Sequence, residues 1–122
     1  MASKRRTLLC IDDHETSLAG WCLYLQNAGY SVETARTPQE GLELFAVHPI
    51  DLVLLDYAMP GINGREVAAT MRQIKPDVRI VMFSGVSLSE DKLTSVDAFI
   101  EKGQHPLVLI QKIEELLLER AV

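Results

Sequence analysis

No apolar run in this 122-residue chain approaches the ~20 residues that a membrane span requires. The apolar piece after Arg6 is interrupted at Asp12, too soon for the core of a signal peptide. Basic charge is also scarce. Lys and Arg number 12 against 17 Asp and Glu, a net charge of −5, whereas a nucleic-acid footprint needs a basic face. Only Lys4, Arg5 and Arg6 cluster, and they read as a solvated tail. Cysteine is limited to Cys10 and Cys22, without the spacing of a zinc or redox motif; both read as small hydrophobes with reduced thiols. His14, His48 and His105 form no ligand pattern and are expected at the surface. These absences exclude membrane and direct nucleic-acid classes and make a cytoplasmic protein the expectation. Apolar content of 48% and charged content of 24% are ordinary for a globular chain, and the length suits a single domain over residues 1–122.

Short apolar runs alternate with longer periodic segments. The runs at 7–11, 31–35, 51–55, 78–83 and 96–100 are rich in Val, Leu and Ile, as strands buried on both faces should be. Between them, Leu18, Trp21, Cys22 and Leu25 form one helical stripe, ended by Gly29. Thr37, Pro38 and Glu40 make a helix start with a capping box, followed by Leu42, Phe45 and Ala46 facing inward. A third helix is expected from Gly64 to Gln73, with Val67, Met71 and Ile74 inward. The last should run from Pro106 to Arg120 on Leu109, Ile110, Ile113, Leu116 and Leu117. Ser87 and Glu90 suggest a short helix of about two turns between the fourth and fifth strands. This alternation predicts an α/β fold: a doubly wound, five-stranded parallel sheet with helices on both faces and a short or irregular helix before the fifth strand.

In such a sheet, ligands bind outside the carboxyl ends of the strands. Asp12 and Asp13 follow the first run, Asp56 ends the third, Ser84 follows the fourth and Lys102 the fifth. The three carboxylates, one hydroxyl and one ammonium should therefore converge. Like charges ~4 Å apart repel by about 4 kcal/mol at an effective dielectric of ~20, and Lys102 offsets only part of that. A hard dication is the natural remedy, and Mg²⁺ prefers oxygen ligands and shares its shell with phosphate. Asp13 and Asp56 are candidate direct ligands, with Asp12 acting through water. Each residue also has a local use: Asp12 with Glu15 matches a capping box, and Asp56 could be a turn residue.

The motifs "IDD" at Asp12–Asp13, "LLDYAMPGINGREV" around Asp56, "MFSG" at Ser84 and "DAFIEK" ending at Lys102 resemble those of response-regulator receiver domains. The family is that of two-component signalling, of the chemotaxis-regulator type, and the likeness runs over nearly the whole chain. The resemblance implies the flavodoxin-like strand order 2-1-3-4-5. It implies that Asp56 accepts a phosphoryl group from a phosphohistidine on a sensor histidine kinase or histidine phosphotransfer protein. Asp13, Asp56 and the Ala58 carbonyl would hold Mg²⁺, Lys102 would pair with a phosphoryl oxygen, and Ser84 and Phe99 would switch. An output protein or domain and a homodimer are further partners that the resemblance leaves open.

The chain departs from the family at several points. Gly103 follows Lys102 where members usually carry a proline joined by a cis peptide. Because a cis bond before a non-proline residue costs ~3–4 kcal/mol, a trans or rearranged loop is expected. The segment from Ser84 to Lys102 is shorter than usual. Phe99 replaces a tyrosine, which should bias its ring inward. Ala58 and Val86 are apolar and cannot orient an attacking water, so a long-lived aspartyl phosphate is expected. Leu23, Leu107 and Leu118 lie off their helix stripes, as scattered exposed leucines or a partner surface. The competing readings are a degenerate receiver that only docks proteins, a small Mg²⁺-dependent phosphohydrolase, and a flavin module. Ala58 stands where a hydrolase of this type wants a second acid, and "DDHE" would repel a flavin phosphate. No output domain is expected after Val122, so the chain reads as a stand-alone receiver, a phosphate shuttle or part of a longer protein.

Overall fold

Strands and helices follow one another as β1 (Thr7–Ile11), α1 (Glu15–Asn27), β2 (Ser31–Ala35), α2 (Pro38–Val47), β3 (Leu52–Asp56), α3 (Gly64–Ile74), β4 (Arg79–Ser84), β5 (Ala98–Glu101) and α4 (Pro106–Ala121). The computed structural model describes residues 5–61, 63–85 and 95–121. The short helix expected at Ser87–Glu90, and Val86, lie outside the described residues. The strands form one parallel sheet in the order β2-β1-β3-β4-β5, as expected.

Period-two alternation divides the apolar strand residues between two cores. Leu8, Cys10, Leu52, Leu54, Val81 and Phe83 face α1 and α4, where Leu18, Leu25, Leu109 and Ile113 pack. Leu9, Ile11, Val53, Leu55, Ile80 and Met82 face α2 and α3, where Phe45, Val67 and Met71 pack. The central strands are therefore buried on both faces, which is why their sequences read as unbroken apolar runs.

The caps follow local chemistry. Gly29 has φ +103° and lets α1 end in a Schellman turn: the Tyr30 N–H donates to the Leu25 carbonyl at 3.2 Å and the Gly29 N–H to the Gln26 carbonyl at 3.0 Å. Thr37 Oγ1 accepts from the Glu40 N–H at 3.1 Å, but Glu40 reaches back to the Arg36 N–H at 2.9 Å, one residue before the cap position the box predicts. Asn63 caps α3 by accepting from the Glu66 N–H at 3.0 Å.

Several expected boundaries and faces shift. β3 begins at Leu52, because the Asp51 side chain is engaged elsewhere: it accepts from the Thr7 N–H at 2.8 Å and faces Arg6 at 3.6 Å. β5 begins at Ala98, since Asp97 accepts from the Ile80 N–H through its carboxylate at 2.8 Å. Ile74 is 46% exposed rather than inward; it is the last residue of α3, and Lys75 already turns to an extended conformation. Ala46 is exposed. α2 instead meets the sheet through Pro38, Gly41 and Phe45, and Gly41 sits so close to Ile11 that a Cβ would lie 2.4 Å from its Cδ1. Among the described residues, no helix is long and apolar enough to cross a membrane.

Candidate functional site

The strand ends bring the expected residues to one edge of the sheet. Asp56 ends β3, Asp12 follows β1 and Ser84 ends β4, and all three are buried. Main-chain hydrogen bonds continue past the strands. The Asp12 N–H donates to the Ala35 carbonyl at 3.1 Å, the Tyr57 N–H to Phe83 at 2.8 Å, and the Lys102 N–H to Ser84 at 2.7 Å. The acidic residues are thus fixed by neighbouring strands rather than by their own loops.

The three carboxylates converge. Asp12, Asp13, His14 and Asp56 each offer a ligand atom, and these atoms lie within 4.8 Å of one another. Lys102 Nζ lies 3.2 Å from Asp56 Oδ1 and 3.7 Å from Asp12 Oδ2. His14 Nδ1 is 3.3 Å from oxygens of both Asp12 and Asp13, with hydrogen-bond geometry to Asp12. Neither aspartate caps α1. His14 takes the N-cap position without a side-chain cap bond, and Asp12 accepts from its N–H at 2.9 Å.

Two oxygens remain unserved. Asp56 Oδ2 is buried with no hydrogen-bond partner among the described residues, and buried Asp13 Oδ1 has none either, with only His14 Nδ1 3.3 Å away. Leaving a buried acceptor unsatisfied costs about 1–3 kcal/mol, more for a charged group. Burial, and after it the charge of Asp12, raise the Asp56 pKa above the ordinary carboxylate range; the Lys102 ammonium and the Ala58 N–H oppose the rise. An all-oxygen carboxylate cup with unserved acceptors fits a hard divalent cation of the magnesium type.

Lys102 ends on a tight turn. The described residues contain no cis peptide bond, and Gly103 has φ +96°, so the loop is trans, as expected from the missing proline. Pro106 opens α4, and His105 accepts the Leu107 N–H through Nδ1 at 3.1 Å.

The family model described as "Response regulator receiver domain" matches residues 8–114. The chain belongs to the response regulator receiver domain family. This receiver domain shares 30% identity with the CheY-like receiver domain protein of Methanospirillum hungatei, covering 97% of this chain and 98% of that one, at a TM-score of 0.92. The response regulator TrrA of Thermotoga maritima, solved in complex with Mg²⁺-BeF, is 32% identical over 91% of this chain and 98% of its own, with a TM-score of 0.88. The regulatory protein VanR of Enterococcus faecium is 32% identical over 114 residues, 90% of this chain but 49% of VanR. The receiver domain therefore spans about half the length of VanR. Receiver domains are signalling modules, not classical enzymes.

Asp12, Asp13, Asp56 and Lys102 stand together, and Ser84 ends the neighbouring strand. Ala58 touches the site through its N–H, which donates to Asp56. Phe99 is half-buried against the α2–α3 core. Cys10 is fully buried, and burial pushes its thiol up to about 12, in keeping with a small inert hydrophobe. Cys22 is half-buried; His14, His48 and His105 are exposed, as are Leu23, Leu107 and Leu118. The sequence places His14 at the surface beside acidic neighbours, Gly64 at a helix start and Phe83 at a strand end, and gives neither Gly64 nor Phe83 a role at the site. Phe83 was legible in principle: it precedes Ser84 on a strand whose side chains alternate between faces.

Proposed function

We propose that this receiver domain is a phosphorylation-dependent switch of a two-component or phosphorelay system, with Asp56 as phosphoacceptor. The observation that carries the reading is the Asp56 carboxylate itself: buried, held by Lys102 through Oδ1, and with Oδ2 unserved. An Asp56 oxygen attacks the phosphorus of a phosphohistidine. A P–O bond forms as the P–N bond breaks, and the imidazole leaves with the electron pair. Lys102 neutralises charge gathering on the phosphoryl oxygens, and Ser84 donates a hydrogen bond to one of them. Asp12, Asp13, Asp56 and the Ala58 carbonyl would hold Mg²⁺, which when bound offsets carboxylate and phosphoryl charge. Ser84 and Phe99 carry the change to the surface.

The donor is a sensor histidine kinase or a histidine phosphotransfer protein, met in the cytoplasm. Support comes from the response regulator TrrA, to which this chain is 32% identical with a TM-score of 0.86 in a structure where TrrA is in complex with the histidine kinase ThkA. An output domain, an output protein or a second copy would read the switch. The docking-only and phosphohydrolase readings are not favoured: the acceptor Asp56, the Lys102 ammonium and the acidic cup stand together, and the position two residues after Asp56 is Ala58. The test is incubation with acetyl phosphate, with and without Mg²⁺, followed by intact mass. The native protein should gain one phosphoryl group only with Mg²⁺, and Asp56→Asn none. No adduct on the native protein at saturating donor overturns the proposal.

A further inference from the structure

Lys102 reaches the site on a long, flexible stem, and ordering such a side chain forfeits rotamer entropy. Its two carboxylate contacts, at 3.2 Å and 3.7 Å, lie on one side of the ammonium. On another side is an aromatic ring: Lys102 Nζ stands over Phe83, 5.6 Å from the ring centroid, within the ~6 Å reach of a cation–π attraction. The ring is itself fixed. Phe83 is buried, and Trp21 of α1 meets it edge-on, centroids 5.0 Å apart and planes at 88°, the favoured T-shaped arrangement. Trp21, Phe83, Asp12 and Asp56 share the wall of one cavity of about 10 Å³, room for no more than about one water. The Phe83 ring thus lies in a tightly packed wall, while the Lys102 side chain stays 29% exposed.

We propose that Phe83, braced by Trp21, is a positioning residue: its ring is a shelf that holds the Lys102 ammonium against Asp56. The proposal rests on the reading of Asp56 as phosphoacceptor. The β-strand explains the geometry. Ser84 ends β4 on the phosphoryl side, and the residue before it points to the opposite face, toward α1. One strand end thus supplies both a hydroxyl for the phosphoryl group and a π-face for its counter-cation. Phe83 touches no reacting atom. Its ring acts through Lys102, while its backbone pairs with the strand that carries Asp56.

The test separates the ring's electrostatics from its volume. Phenylalanines carrying one, two and three fluorines are installed at position 83 of the full chain; they keep the shape and progressively drain the π-face. The rate of phosphorylation by acetyl phosphate should fall stepwise, about three- to tenfold in all, while Mg²⁺ affinity and thermal midpoint stay constant. A flat rate series overturns the proposal, and so does a rate that falls only in step with the thermal midpoint. A second measurement does not need phosphorylation. In the metal-free native protein, the Lys102 ε-methylene protons should be shifted upfield by the ring current, and Phe83→Leu should abolish the shift. Ordinary lysine shifts in the native protein overturn the shelf. If the native protein accepts no phosphoryl group, the reading of Asp56 fails, and the proton shifts still decide the shelf.

Discussion

Gly64 packs directly on the backbone that carries Asp56. A Cβ at position 64 would lie 3.0 Å from the Asp56 carbonyl oxygen and 2.8 Å from Tyr57 Cα, and the Gly64 N–H donates to the Tyr57 carbonyl at 2.9 Å. The start of α3 is thereby pressed against the end of β3. Backbone cannot yield as a flexible side chain would, so Gly64→Ala should cost about 1–3 kcal/mol and weaken Mg²⁺ binding by displacing Asp56. Gly20 gives the contrast. It lies within α1 with nothing within 4 Å of its would-be Cβ, so Gly20→Ala should stabilise by about 0.5–1 kcal/mol. Urea denaturation of both variants and magnesium titration of Gly64→Ala check this.

Asp56 should destabilise the metal-free fold at neutral pH. Its folded pKa is raised above the ordinary value of 3.8, so folding favours the protonated form. Its contribution is fully present below that unfolded value and is lost as pH rises through the raised folded pKa. Asp56→Asn should therefore match the native protein near pH 3.8 and become the more stable of the two as pH increases, by about 1–3 kcal/mol, the cost of the unsatisfied buried acceptor. Saturating Mg²⁺ should reverse the order, since 100-fold excess over the dissociation constant adds about 2.7 kcal/mol to the state that binds it. Denaturation across a pH series, with and without Mg²⁺, reads both effects.

Gly103 should not accept proline. Its φ of +96° lies far from the −65° that the pyrrolidine ring imposes. No atom would crowd a Cβ there, so the backbone conformation alone selects glycine. Gly103→Ala should cost about 1–2 kcal/mol, Gly103→Asn less, because asparagine tolerates positive φ, and Gly103→Pro the most. Thermal midpoints should follow that order, with phosphorylation rates beside them to show how far the Lys102 turn has moved.

The aspartyl phosphate should be long-lived. Ala58, exposed two residues after Asp56, offers no side-chain group to orient a water. Ala58→Asn should shorten the phosphoprotein half-life severalfold, less than the roughly 10²-fold that a positioned general acid or base supplies, because an amide can orient a water but not take its proton. Decay followed by intact mass after donor removal checks it; an unchanged half-life counts against the idea.

What the sequence makes legible follows from geometry. A parallel sheet sends every strand the same way, so residues closing the apolar runs share an edge. Asp12, Asp13, Asp56, Ser84 and Lys102 could be gathered on that ground. Boundaries were less legible because side chains compete with the ladder: Asp51 and Asp97 each engage a backbone N–H and delay a strand. Ile74 fits the helical period but falls where α3 ends. Ala46 fits the apolar composition, yet α2 approaches through Gly41, whose missing side chain sets the contact line. The Phe83 shelf and the Gly64 contact depend on distances between elements, which a periodic pattern does not encode.

β5 is moored at its beginning. Asp97 receives Arg72 Nη2 at 2.9 Å and Arg79 Nη1 at 3.3 Å, and Arg72 also holds the Ser95 carbonyl at 3.0 Å. The strand that follows has only four residues and ends beside Lys102. A ribbon this short, anchored at one end, has no room to slide. β4 also holds it rung by rung from Ala98 to Glu101 and again at the Lys102 N–H, so Phe99 stays in register beside Met82.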